Sequence, residues 1–345
     1  MIPRQWSATF GYMALRFLLI TLLSISVSKL VAHPPWGIVV DKEHNIYFAD
    51  IAHNGLGSVW KLDKSGKLNL LLRDFHAHYV GLDNKGHLVT ANGEESQFMA
   101  RLNDHGSLDT LYHTTNYEDF NGGNCAYTTN GEIVFQAGGY IWKINKYGKK
   151  EKVSSHKFKW CQTLYTDELG NYYVPEIGDG IGKLFRIGQK GETRMIATNL
   201  ISKTDKPYNK HNDILMGITK GCDDHIYVAE LAGKRIIKVL ENQKTETFYT
   251  SEGDWFPSGI DFFAGEAYIM EYRNSKNGMK GPQIVKVTEN GVKELLFNYE
   301  DYESVNLDST SDPDNRNSTY WPFWLIGIGA MGASIIVVRR IASPL

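Results

Sequence analysis

The apolar positions of this chain come in short runs set apart by polar turns. The first group reads Gly37 to Val40, Ile46 to Ala49, Val59 to Leu62 and Leu68 to Leu72, divided by segments rich in Asp, Asn, Lys and Gly. Brief runs of β-branched and aromatic residues bounded by such turn formers predict antiparallel strands joined by hairpins. Four strands between Trp36 and Arg73 make one small sheet, which cannot bury both faces alone and needs copies of itself.

The copies follow. The third strand recurs as VWKL, MARL, IWKI, LFRI, IIKV and IVKV, with its basic residue at Lys61, Arg101, Lys143, Arg186, Lys238 and Lys286. A glycine stands five residues later at Gly66, Gly106, Gly148, Gly191 and Gly291, and Gln243 takes its place in the fifth copy. The second strand recurs in phase as NIYFAD, HLVTAN, EIVFQA, NYYVPE, HIYVAE and EAYIME. Six repeats of four strands, with a period in the forties, predict an all-β fold: a six-bladed β-propeller of four-stranded antiparallel blades over residues 33–298.

The stretch PPWGIVVDKEHNIYFAD, continued by VWKLDKSGK, resembles the NHL repeat and, more distantly, the gluconolactonase-like (senescence-marker-protein-type) six-bladed propellers. The resemblance covers roughly residues 34 to 298 and speaks to fold more than to activity, because one fold hosts many functions. For function it implies two classes. One is a binding or scaffolding module, as many NHL domains are; the other is a hydrolase or lyase acting on a small, sugar-type substrate at the central channel.

The ends of the chain read differently. Residues 1–32 place Arg4 and Arg16 ahead of an apolar stretch, Phe17 to Val27, and then small residues, as an export signal or an uncleaved N-terminal anchor would. Residues 299–320 are acidic and rich in Ser, Asp and Asn, predicting a disordered stalk. Residues 321–338 are uncharged and apolar; as a helix they would span about 27 Å, which predicts a C-terminal transmembrane helix. Tyr320, Trp321 and Trp324 would mark one interface, and Arg339 and Arg340, in a short tail to residue 345, the cytoplasmic one. The propeller is therefore expected outside the cytoplasm.

Charge narrows the partners. With 37 basic and 39 acidic residues the net charge is −2, and the strand-three cations are spread one per repeat. No clustered basic face is expected, hence no nucleic-acid partner. Those cations read as solvated or locally paired residues. Cys125, Cys161 and Cys222 have neither a disulfide framework nor a zinc spacing; Cys125 and Cys161 could be bridged or be buried thiols.

Candidate chemistry lies where the first two strands of each repeat meet. A turn centred near residue 43 sets Val40 opposite Ile46, Ile38 opposite Phe48 and Trp36 opposite Asp50. The same counting pairs His78 with Asn92, Gly123 with Ala137, Gln162 with Glu176, Met216 with Glu230 and Ser258 with Glu271. The gluconolactonase-like resemblance implies a divalent metal at the channel mouth. Trp36, His78, Gly123, Gln162, Met216 and Ser258 do not supply the oxygen ligands it would need, so no cofactor is expected. The candidate ligand-binding residues are Asp50, His78, Asn92, Glu176, Glu230 and Glu271. The carboxylates among them could bind a cation or polyol, or serve as repeat acceptors for loop amides. His53, His76 and His211 also fall in or near loops of that face. The long polar linkers, 113–123 and 199–213, and the long loop 272–281 gather there too, making it the expected surface for a small-molecule or protein partner.

Overall fold

The structure is a computed structural model that describes residues 34–302, apart from 52–56, 95, 204–206, 210–212 and 276–277. The signal, most of the stalk, the apolar segment 321–338 and the tail lie outside the described residues, as do His53 and His211. Residues up to Asp301 form one compact unit; of the second, from Tyr302 onward, only Tyr302 is described. Among the described residues no helix is long and apolar enough to cross a membrane.

Six sheets follow in chain order. Blade one comprises β1 (Ile38–Val40), β2 (Ile46–Asp50), β3 (Ser58–Leu62) and β4 (Leu68–Arg73). Blade two comprises β5 (Ala77–Leu82), β6 (Leu88–Asn92), β7 (Gln97–Leu102) and β8 (Leu108–Thr114). Blade three holds β9 (Cys125–Tyr127), β10 (Ile133–Ala137), β11 (Tyr140–Ile144) and β12 (Lys150–Lys152). Blade four holds β13 (Tyr165–Thr166), β14 (Tyr172–Glu176), β15 (Lys183–Ile187) and β16 (Thr193–Thr198). Blade five runs β17 (Leu215–Lys220), β18 (Ile226–Glu230), β19 (Arg235–Val239) and β20 (Thr245–Thr250). Blade six runs β21 (Trp255–Phe263), β22 (Glu266–Ser275), β23 (Gly278–Val287) and β24 (Lys293–Asn298). Each sheet is built from four consecutive strands, all antiparallel neighbours. This is the six-bladed propeller that the repeats predict.

Burial explains the repetition. The core lies between blades: Val134 and Ile141 of blade three pack with Leu164, Val174 and Phe185 of blade four, around Phe158 of the linker between them. Val89, Ala91 and Met99 of blade two meet Phe120 and Phe135 in the same way. Each of the larger of these side chains contributes about 1.5–3 kcal/mol when removed from water, and their cover comes from the neighbouring blade. The inner strands touch backbone to backbone. A Cβ on Gly37 would come within 2.6 Å of the Val80 nitrogen, and one on Gly259 within 2.6 Å of the Trp36 carbonyl oxygen. Only glycine lets the strands approach this closely.

Among the described residues the ring closes by packing of blade six on blade one, with no strand exchanged. β21 packs on β1, and the Val40 amide donates to Asp261 Oδ2 at 2.8 Å across the seam. Tyr272 donates its hydroxyl to Asp50 Oδ1 at 3.2 Å, and the ring of Tyr299 lies edge-on to Trp60. The strand-three cations are locally paired. Lys143 meets Glu132 at 3.1 Å, Lys238 meets Asp223 at 2.8 Å, Lys286 meets Glu294 at 2.8 Å, and Lys61 lies over the Tyr47 ring. Gln243, standing where the other copies have glycine, takes the same left-handed backbone with φ 62°. Cys125 and Cys161 are buried free thiols, and Cys222 is exposed.

Candidate functional site

The inner strands β1, β5, β9, β13, β17 and β21 line a central channel with two different ends. One end carries the linkers between blades and the β2–β3-type loops; the other carries the tight turns within the blades.

At the loop-bearing end the expected register holds in blade one, where Ile38 pairs with Phe48; in blade four it holds near the turn, where Tyr165 pairs with Tyr173, but runs one residue off at the loop-bearing end, where the Ile177 amide donates to the Trp160 carbonyl. It holds in blade three as well, where Cys125 pairs with Phe135. Blades two, five and six depart from it. Asn92 pairs with Ala77 instead of His78, Glu230 with Leu215 instead of Met216, and Glu271 with Pro257 instead of Ser258. In each, the inner strand carries one extra residue just past that pair, a bulge that turns counting from the hairpin into a one-residue error.

The second-strand acids are not open to the channel mouth. Asp50, Glu176, Glu230 and Glu271 are all buried, at 4% exposure or less. Most of them hold the chain segment leading into their blade. Glu176 Oε2 accepts the Lys159 amide at 2.8 Å, and Glu230 accepts the amide of Ser202 and, at 3.1 Å, its hydroxyl. Glu271 accepts the hydroxyls of Tyr249 and Ser251 and the Gln283 amide group. Asn92 plays the same part in blade two, where its Oδ1 accepts the His76 amide at 3.1 Å. In blade three, which has Ala137 at this position, Gln97 of the preceding blade accepts the Gly122 amide at 2.9 Å. Glu230 also meets Arg235, and Lys183 approaches Glu176 at 3.9 Å.

The inner-strand starts close this end of the channel: Trp36, His78, Gln162, Met216 and Ser258 are all buried. The His78 ring stacks on Trp36 with centroids 4.8 Å apart, and its Nε2 lies 3.0 Å from Nε2 of His76. His76 is partly exposed, with Glu94 at 3.6 Å. Burial holds its pKa below the ordinary histidine value, against the pull of Glu94. Of the candidates, His78 alone belongs to a pair of titratable rings, and its partner His76 is the member nearer the surface.

The channel is open toward the other end. A cavity of about 210 Å³ is lined by all six inner strands, among them Tyr79, Tyr127, Tyr165, Thr219 and Asp261. Tyr79 lies along its own strand against Gly81, where a Cβ would fall 2.1 Å from the tyrosine oxygen. That oxygen accepts the Tyr127 amide at 3.0 Å. Asp261 has its carboxyl pushed up to about 7 because it is withdrawn from solvent, with hydrogen bonds from Val40, Phe262 and Thr219 opposing the shift. Residue counting had not marked it: a single acid within GIDFF reads as an interruption of an apolar strand. Among the described residues no group of three His, Cys, Asp or Glu side chains is arranged to hold a metal.

Comparison with known proteins adds the fold. No protein-family model matches the chain, and no curated protein matches it by sequence. Solved structures do resemble it. Virginiamycin B lyase from Staphylococcus aureus shares 18% identity, with 76% of this chain and 84% of that one covered, at a TM-score of 0.51. A streptogramin B lyase shares 15% identity over 77% of this chain and 84% of its own, at 0.52. A luciferin-regenerating enzyme shares 16% identity over 71% and 86% respectively, at 0.50. Likeness at this level defines the class: the chain is a six-bladed β-propeller, of the architecture those enzymes share.

Proposed function

We propose that this protein is an exported, membrane-tethered propeller that binds a small molecule or a protein through its loop-bearing face. The observation that carries the reading is the way the linkers are held. Asn92, Glu176 and Glu230 each fix a backbone amide of the segment entering their blade, and Glu271 fixes side chains of the segment entering blade six. Linkers anchored this way are preorganised, and ordering them on binding costs little. The same face exposes Tyr117 and Tyr208 at 51% and 42%, aromatic side chains of the kind that anchor interfaces. The apolar segment 321–338 would hold the propeller outside the cytoplasm. The NHL-like wording of the repeats supports the same binding role.

Photo-crosslinking groups at Tyr117 and Tyr208 test the reading in whole cells. They should capture a partner or ligand that the same groups at Tyr147 and Val292, on the turn-bearing side, do not. Equal capture from both faces would count against it. For the tether, protease added to intact cells should release the propeller by cutting within 303–320. Protection of the propeller would reverse the orientation.

A second reading, a hydrolase or lyase of the gluconolactonase-like type, has the His76–His78 pair in its favour. Two imidazoles 3.0 Å apart, one held neutral by burial, suit proton transfer to or from a bound substrate. The lyases among the similar structures support it by analogy of fold alone. Loss of turnover in His76→Gln with an unchanged melting temperature would favour it over simple binding.

A further inference from the structure

The channel cavity lies away from the loop-bearing face and has a chemistry of its own. Its acidic group is Asp261, which accepts the Val40 amide at 2.8 Å and has no ion-pair partner among the described residues. Around it stand tyrosines whose polar tips are engaged or pushed toward the neutral form. The Tyr79 oxygen is held by the Tyr127 backbone, and burial keeps the Tyr79 and Tyr165 hydroxyls protonated, with the charge of Asp261 adding to both effects. The cavity lining thus joins Tyr79 and Tyr165 to threonines, Thr219 among them, and to the Asp261 carboxyl. At the rim Glu168 is met by Lys220 at 2.9 Å, and Lys220 is met again by Asp224 at 3.3 Å.

Each alternative occupant leaves something unmet. An anion would face Asp261. Calcium or magnesium asks for six or more oxygens, and the donors around Asp261 are amides and a hydroxyl pointing at the carboxylate; no further His, Cys, Asp or Glu pair joins it among the described residues to hold another metal. Water alone, about seven molecules at ~30 Å³ each, would leave the aromatic walls wetted and the Asp261 carboxyl holding its proton well above the ordinary aspartate range. A cation with an apolar shell satisfies both, because aromatic faces attract it and a carboxylate balances it.

We propose that the cavity is a binding site for a small organic ammonium compound. It enters from the turn-bearing face, with its charge against Asp261 and its carbon shell against the rings of Tyr79 and Tyr165. Because the Asp261 carboxyl is held near 7, ligand uptake displaces a proton and strengthens as pH rises through that value.

Calorimetric titration of the full-length protein tests this with choline, tetramethylammonium and the neutral choline isostere 3,3-dimethylbutanol. At pH 8 at least one of the two cations should bind at one per chain, and choline at least tenfold more tightly than its isostere. Cation affinity should fall about tenfold at pH 6, and proton release near pH 7 should appear as a dependence of the measured heat on buffer. Asp261→Asn should lose at least tenfold in cation affinity, while Cys222→Ser should bind as the parent does. A melting curve of Asp261→Asn reports whether it folds; if it does not, Tyr165→Leu and the proton-release measurement carry the test. No binding by either cation, equal affinity for choline and its isostere, or full cation affinity in folded Asp261→Asn would overturn the proposal.

Discussion

The two ends of the channel are built from the same six strands and have opposite characters. At the loop-bearing end, polar side chains are spent on structure. Glu230 is fully buried yet meets Ser202 and Arg235, and Glu271 gathers Tyr249, Ser251 and Gln283. At the turn-bearing end a carboxyl group faces a cavity with no ion-pair partner among the described residues, and its withdrawal from solvent raises its pKa. Asp261 accepts hydrogen bonds too, yet its withdrawal from solvent outweighs them, so it stabilises the fold in the neutral form and its ionisation is left for a ligand to compensate.

The contrast can be broken most severely at the closed end. Trp36→Ala removes the ring that stacks on His78 and should cost about 3–5 kcal/mol in denaturant unfolding. A loss under 1 kcal/mol would mean that this end is not packed shut. Next come the linker clamps. Glu176→Gln and Glu230→Gln should each destabilise by about 1–3 kcal/mol, read from thermal melts, because a charge-assisted acceptor becomes a neutral one. Crowded carboxylates forming an open site would give the opposite sign, with neutral or stabilised variants.

At the open end the effect appears in pH. The folded state holds the Asp261 proton up to about 7, whereas the unfolded chain releases it near the ordinary aspartate value. Its contribution is thus fully present below the unfolded pKa and is lost as pH rises toward and through 7. Asp261→Asn should remove that fall, so that its melting temperature relative to the parent improves between pH 5 and pH 8. Parallel pH curves for the two proteins would remove the contrast between the ends. The smallest effect concerns thiols. Burial raises the Cys125 and Cys161 pKa values, so one thiol, Cys222, should react promptly with a disulfide reagent in the native protein. Rapid reaction at Cys125, which donates to the Gly122 carbonyl at 3.3 Å, would show the closed end opening.

Much of the fold was legible because repetition multiplies a weak signal. A single VWKL proves little, but six such runs in phase with glycine turns fix blade number and strand order. The register at the loop-bearing end was legible only where the inner strand is regular. A bulge leaves no mark in a pattern of apolar and polar letters, so His78, Met216 and Ser258 were set one position away from their true partners. The acids were easy to find and hard to interpret. Their recurrence at the end of strand two was visible, but the linker amides they accept come from another blade's exit. Asp261 shows the reverse difficulty: its importance lies in a cavity formed by six distant segments, which no local stretch of sequence displays.

Each blade is made of four consecutive strands, and the seam between the last and the first is made of packing and hydrogen bonds without a shared strand among the described residues, so covalent order and spatial order are separable here. The six junctions between blades are topologically equivalent. Opening the chain at any one of them, for instance within 153–161, and joining the former ends would cut through no sheet. By the same logic a whole blade is a removable unit of inheritance: duplicating or deleting one changes the circumference of the ring without rewiring any strand pairing.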